Sequence, residues 1–407
     1  MVVTESIDGV APRQIIEPAS AEELARALAS ASSQRASVVI RGGGTKIGWG
    51  RTPSAVDILL STKRLSALAA HEHADLTATV QAGARIDDLN RTLARHGQWL
   101  PIESAFDEAT IGGAVATNDS GPLRHRYGTP RDLIIGVRLA LTDGRLIKAG
   151  GNVVKNVAGY DLGKLVSGSF GSLAAIVSAT FKLTPLPAAS STLVATFERA
   201  DSLVAALAAI TSSQLEASAI EVRTASDEHA SVGSASRRTY QLLLKFESTP
   251  GALNAHVQKA RALAGDASCE VVAAGSEADV WRAHTRTIWA SPGAVVKAAW
   301  LPASLGAVLA FMDDLRGTAA SVELVGRAAL GSGLFRFDAD VHVQRNIVER
   351  LRSRSDVFRH VVVLRAGAQL KQQLDVWGQL GDAGLLGASV KHELDPHGIL
   401  NAGRGPV

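Results

Sequence analysis

Apolar positions in the first 190 residues switch between strand-like runs and helical spacing. The runs VVI (38–40), DILL (57–60) and TATVQAGA (77–84) read as short buried strands. Ser20 and Glu23 in SAEELARAL form a capping box ahead of Leu24 and Leu28, which lie one helical turn apart. IDDLNRTLARH stacks Leu89 on Leu93, and Gly97 is a natural stop behind it. LIIGVRLAL (133–141) and LIKAG (146–150) flank Asp143-Gly144, a hairpin signal. In IVSATFKL (176–183), Val177, Ala179, Phe181 and Leu183 share one face, which predicts a half-buried strand. The two prolines of TPLPAAS (184–190) mark a domain boundary.

Beyond that boundary the rhythm changes. LVATF (193–197), a helix from Ser202 to about Ile210, AIEVR (219–223), YQLLLKF (240–246), a helix after Pro250 and CEVVA (269–273) give the order β-α-β-β-α-β. The order recurs from VVKAAW (295–300) through VVVL (361–364). Each half is a ferredoxin-like pattern, and the two could share one antiparallel sheet with helices on one face. The fold class is α+β. The divisions predicted are 1–186, 187–388 and a polar, turn-rich tail, 389–407.

Composition narrows the function. With 46% hydrophobic and 20% charged residues, the chain is an ordinary globular protein with a sizeable core. Its net charge of +3 is scattered and not interleaved with aromatics, which argues against a nucleic-acid partner. A single cysteine, Cys269, excludes a disulfide, a CxxC zinc site and cysteinyl ligation of an iron–sulfur cluster within this chain, and is expected as a buried small hydrophobe. No signal-like start and no membrane-length apolar run imply a cytoplasmic protein, peripheral to the inner face of a membrane only through a partner.

The candidate chemistry starts at IRGGGTKIGWG (40–50). A P-loop string is absent, and a Rossmann reading from Gly42 would need glycine where Ile47 stands. Consecutive glycines still allow an anion nest of inward-pointing backbone amides at the end of a strand, with Thr45 adding a hydroxyl and Lys46 a cation. A branched side chain at Gly43 would stand against an anion held in such a nest. Two further stretches, TIGGAVATNDSG (110–121) followed by RHRYG (124–128), and KNVAGYDLGKLVSGSFGSLAAIV (155–177), again combine glycines with small hydroxyl side chains. Three such loops suit an elongated, phosphate-bearing ligand such as FAD.

These stretches resemble the three FAD-binding segments of the vanillyl-alcohol-oxidase/p-cresol-methylhydroxylase (PCMH/VAO) superfamily. KHELDPHGILNAGR near the C-terminus is similar to that family's closing motif, with Ala402 where proline is usual. VKNVAGYDL (154–162) and the short C-terminal half most resemble the FAD-binding subunit of glycolate oxidases, the smaller flavin subunit of the complex. The resemblance implies a PCMH-type FAD-binding domain, a cap domain and a tail returning to the flavin. It implies that the backbone amides of Gly42, Gly43, Gly44, Thr45 and Lys46 hold the pyrophosphate, with Arg41 and Gly48 also in the cofactor site. Thr110, Ile111, Gly112, Gly113, Thr117, Asn118, Ser120 and Gly121 would flank the flavin and ribityl chain, closed by Tyr127 and Gly128. Tyr160, Gly171 and Ile176 would contribute from the third stretch, and Asn401 and Arg404 from the tail. FAD would be non-covalent, because the loop offers Thr45 and Lys46 where covalent relatives place a histidine. The implied activity is oxidation of glycolate to glyoxylate, shared with a larger flavin subunit and an iron–sulfur subunit. Self-sufficient members carry an H-x-G-D-G-N-type motif, and this chain has none. A self-sufficient D-lactate-type dehydrogenase and a non-catalytic flavin-fold scaffold stay open as alternatives.

Weaker candidates are Lys155 and Asn156 beside the third loop, and the basic cluster Arg124, His125 and Arg126. Glu221 and Arg223 share one face of a cap strand and are expected to form an outward-facing ion pair. HEHAD (71–75) has metal-like spacing but reads as an exposed loop.

Overall fold

The computed structural model describes residues 6–152, 159–226, 238–315, 318, 319 and 321–406. The chain divides into two compact units. The first comprises residues 1–121, 127–186 and 379–407, and the second 122–126 and 187–378.

Among the described residues the first unit holds three sheets, the smallest pairing Thr184–Pro185 with Gln98–Trp99. A parallel three-stranded sheet runs in the order Gln14–Ile16, Ile58–Ser61, Val38–Arg41. The helix Ala21–Ser33 starts at Ser20, whose hydroxyl accepts from the Glu23 amide, while the Glu23 carboxylate accepts from the Ala19 amide. Its Leu24, Ala25 and Leu28 bury against Val38 and Leu60. An antiparallel five-stranded sheet has the order Leu68–Glu72, Thr77–Gln81, Ala175–Lys182, Ile134–Ala140, Leu146–Gly150.

The strand Ala175–Lys182 departs from the half-buried reading. Ala175 and Val177 pack with the helix of the parallel sheet, whereas Ile176, Ala179 and Phe181 belong to the core behind the five strands. The pairing register slips between Arg138 and Leu139 opposite this point, so a bulge moves Val177 off the face of Ala179 and Phe181. Both faces of the strand are therefore covered.

The tail is structural. The helix Asp382–Leu394 belongs to the first unit, which takes the chain back at Gln379 and not at 389 as expected. Residues 399–401 then lie alongside Val38–Arg41: the Val38 amide donates to Ile399 (2.8 Å) and the Asn401 amide to the Val38 carbonyl (2.8 Å).

The second unit is one eight-stranded sheet, antiparallel throughout. Its order is Ser268–Val271, Ala189–Phe197, Arg238–Ser248, Ala219–Ser226, Ser321–Arg327, Ser332–Asp338, Ala294–Trp300, Phe358–Arg365. Numbered within each half, that is 4-1-3-2 joined to 2-3-1-4. Two ferredoxin-like units meet edge to edge through their second strands, where Glu221 faces Arg327.

One helix breaks the one-sided expectation. Tyr240 donates to Asp313 at the end of helix Leu305–Asp314, and Phe246 packs on His256 of helix Pro250–Leu263, so even positions of strand Arg238–Ser248 face those helices. Leu243, of opposite parity, clusters with Trp281 of helix Glu277–Ala290. That helix covers the other face. Glu277 and Trp281 anchor it by hydrogen bonds to Thr192 (2.6 and 2.8 Å). Cys269 lies half-buried in the edge strand Ser268–Val271, not in the core, because that strand has neighbours on one side only.

Candidate functional site

The strand Val38–Arg41 runs directly into the glycines, and the chain itself explains two of them. A Cβ on Gly42 would lie 2.1 Å from the Thr110 hydroxyl, and one on Gly43 would lie 1.7 Å from the Glu108 carbonyl oxygen. Gly44 has φ +75°, a conformation that side chains resist. The first steric partner of Gly43 is thus the 108–110 segment and not a ligand. Hydrogen bonds from the Ile47 amide to Gly44 (3.1 Å) and from the Trp49 amide to Lys46 (3.0 Å) fold residues 44–49 into successive turns. Among the described residues, the amides of Gly43, Gly44, Thr45 and Lys46 donate to no other protein group. That row of free donors is what a nest for an anion requires.

A groove of about 100 Å³ opens along this loop. Arg41, Gly42, Gly43, Gly44, Thr45 and Lys46 line it, with Thr110, Gly112, Gly113 and Thr117 from the second stretch. Gly171, Ile176 and Asn401 complete the set drawn from the three stretches and the tail. Thr110 caps the short helix Ile111–Thr117, accepting from the Gly113 amide. A Cβ on Gly112 would sit 2.7 Å from that of Ala82, so this glycine lets the helix approach the strand end. Arg41, the three glycines and Ile47 also wall a second cavity of about 680 Å³, which is of ligand size whereas the groove alone is smaller.

Lys46 has a different role from the one expected. Its side chain is 6% exposed and its Nζ lies 2.8 Å from Asp119, within reach of Ser104 and over the rings of Trp49 and Phe106. Ser104 donates to the same carboxylate at 2.8 Å. The ammonium is neutralised by Asp119 and ties the glycine loop to the second stretch. Lys46→Met should therefore lower FAD retention by leaving Asp119 unpaired. The double variant Lys46→Met/Asp119→Asn should regain most of the loss in a flavin-content assay. A lysine serving the phosphates would give no such rescue.

The tail braces the loop from behind. Arg404 donates to the carbonyls of Ile47 and Trp49 and to the Asn401 side chain, and Asn401 donates to Phe170. Burial pulls the Arg404 pKa down from its ordinary value. Arg404 thus reaches the loop through its backbone carbonyls, and Asn401 links Arg404 to Phe170.

Other predicted residues lie elsewhere. Ile111 is a core side chain with no exposure. Asn118 ends its helix with φ +46° and accepts from the Arg131 amide. Gly121 abuts Glu103, Gly128 has φ +83° beside Asp132, and Tyr127 packs edge-on against Trp99. Ser120 and Gly48 do not line the groove, and Tyr160 is 91% exposed. Lys155 and Asn156 lie outside the described residues. His71 and His73 of HEHAD pack with His96, ring centroids 4.6–5.3 Å apart, and His71 bonds Gln98. Among the described residues, no group of three His, Cys, Asp or Glu could hold a metal ion. Groove residues not anticipated from sequence include Ala82, Trp49 and Phe170, the last held at φ +56°.

Residues 12–150 match the family model described as "FAD binding domain". Residues 12–150 are an FAD-binding domain, and FAD is its cofactor. Its free amides, its glycine-bared backbone and its hydroxyls fit a pyrophosphate-linked cofactor. Over 191 residues the chain is 36% identical to glycolate oxidase subunit GlcD of Bacillus subtilis, covering 47% of this chain and 41% of that protein. It is 36% identical over 181 residues to D-lactate dehydrogenase of Archaeoglobus fulgidus, covering 43% of this chain and 41% of the relative. It is 34% identical over 162 residues to glycolate oxidase subunit GlcE of Escherichia coli, covering 39% and 46%. The matched stretches thus span less than half the length of these relatives. Alkyldihydroxyacetonephosphate synthase shares the fold, with a TM-score of 0.69 at 18% identity over 95% of this chain and 76% of that one. Among the described residues, no helix of the FAD-binding chain is long and apolar enough to cross a membrane.

Proposed function

We propose that this chain is an FAD-linked oxidoreductase that acts on a small 2-hydroxy acid, as the FAD-binding subunit of a glycolate-oxidising complex. The observation that carries the reading is the FAD site itself, on a chain whose relatives are named glycolate oxidase subunits and D-lactate dehydrogenase. In the proposed reaction glycolate loses its hydroxyl proton and a hydride from C2, and glyoxylate forms. Bound FAD supplies the hydride acceptor. The chain's part in the first unit is to hold that cofactor without a covalent bond, through the amides of Gly43 to Lys46, and to fix the loop through Lys46 and Arg404. With Cys269 as its single cysteine, the chain cannot itself ligate an iron–sulfur cluster through thiolates, so onward electron transfer falls to a partner subunit.

The test is anaerobic mixing of the purified holoprotein with glycolate, with D-lactate and with a dicarboxylate of similar reactivity. Bleaching of the oxidised flavin by the monocarboxylates, accelerated by added partner subunits, is the expected result. A flavin that no 2-hydroxy acid reduces, with or without partners, overturns the reading.

A further inference from the structure

Beneath the helix Glu277–Ala290, the sheet of the second unit holds a group of charged side chains that the FAD site does not use. Glu221 is fully buried, with His284 Nε2 at 3.0 Å and Arg327 Nε at 3.7 Å from its two oxygens. The expected outward pair of Glu221 with Arg223 is therefore absent: Glu221 faces inward and is engaged by other partners.

Arg223, two residues along the same face, is left without an anion. Its Nε donates to Gln241 at 2.7 Å, and Gln241 donates to Thr196 at 3.1 Å, so one edge of the guanidinium is fixed. Among the described residues no carboxylate pairs with Arg223, and its Nη groups have no acceptor. The side chain is nevertheless only partly exposed, and burial alone lowers its pKa. His125, carried into this unit by residues 122–126, is also half-buried and within electrostatic reach of Glu221; its Nδ1 is buried without a partner. A half-buried cation held from one side and lacking a counter-charge is favoured by an anion on its open edge, where the Nη groups still reach solvent. A planar guanidinium with two free Nη groups matches a carboxylate in bidentate geometry.

We propose that Arg223 is a carboxylate-binding residue of the second unit, receiving the two oxygens of a small monocarboxylate on its free Nη edge. That the monocarboxylate is the 2-hydroxy acid rests on the function proposed above. The site itself does not.

Saturation-transfer NMR on the methylene protons of glycolate, with the FAD-loaded full chain, tests it. Glycolate should bind saturably, and glycolamide, of equal size and without the charge, should bind at least about tenfold more weakly. Arg223→Gln should weaken glycolate about tenfold or more while flavin content stays unchanged, and Arg223→Lys should fall between the two. Equal binding of glycolate and glycolamide, or an undiminished affinity in Arg223→Gln, overturns the proposal. The two readings separate cleanly. Carboxylate binding that depends on Arg223, without flavin reduction by any hydroxy acid, refutes the proposed activity and keeps the site. Flavin reduction with an affinity indifferent to Arg223 does the reverse.

Discussion

Gly43→Ala is expected to purify without flavin. The added Cβ would meet the Glu108 carbonyl oxygen at 1.7 Å and its carbon at 2.8 Å, both backbone atoms that no rotamer change can move aside. Relief requires the loop or the 108–110 segment to shift, at a cost of about 1–3 kcal/mol or more. Either shift turns the amides of Gly43 to Lys46 away from their common direction. Gly44→Ala is the informative control. Its nearest non-neighbour atoms are on the Arg41 side chain at 3.5 Å, so the penalty comes from φ +75° alone, about 1 kcal/mol, and the flavin should be retained. The ratio of flavin to protein absorbance after gel filtration, with melting temperatures for both variants, checks the pair. Full flavin in Gly43→Ala would contradict the account of the loop.

The second large effect is expected at Asp395→Ala, far along the chain from the glycines. Asp395 is 1% exposed and accepts from the amides of Ile399 (3.1 Å) and Leu400 (2.8 Å) and from Lys391 Nζ (2.5 Å). Lys391 also donates to the carbonyls of Ser172 (2.7 Å) and Leu400 (2.9 Å), and burial holds its pKa below the ordinary lysine value. Removing the carboxylate strands a buried ammonium and two amides, a loss of about 3–5 kcal/mol. The strand-like tail that places Asn401 and Arg404 behind the glycine loop would loosen with it, so flavin retention should fall together with stability. Lys391→Met/Asp395→Ala should be less destabilised than Asp395→Ala alone, since no charge is left unpaired. Denaturant titration of the three proteins reads this directly, and additive losses would contradict the clamp.

Much of the fold was legible in the sequence, for identifiable reasons. Strand and helix positions came from apolar spacing, and the twofold β-α-β-β-α-β order was visible because each unit repeats one local grammar. The three glycine-rich stretches contribute to one groove, and Gly42, Gly43 and Gly112 among them mark close approaches to Thr110, Glu108 and Ala82. Local patterns do not report which atom approaches. Gly43 makes room for Glu108, a contact across 65 residues, and Lys46 is spent on Asp119. Glu221 and Arg223 read as an exposed pair because helix Glu277–Ala290, whose His284 covers Glu221, falls outside both ferredoxin-like repeats. The bulge at Val177 likewise needed the partner strand, since alternation within one strand cannot show a register slip in another.

Backbone donors of the first unit are proposed to grip one dinucleotide without a covalent bond. The direct measurement is to denature the purified chain in acid, spin down the protein and quantify flavin in the supernatant. One FAD per chain, all of it released, is the predicted result. A colourless protein that takes up no FAD, or flavin that stays with the pellet, would contradict it.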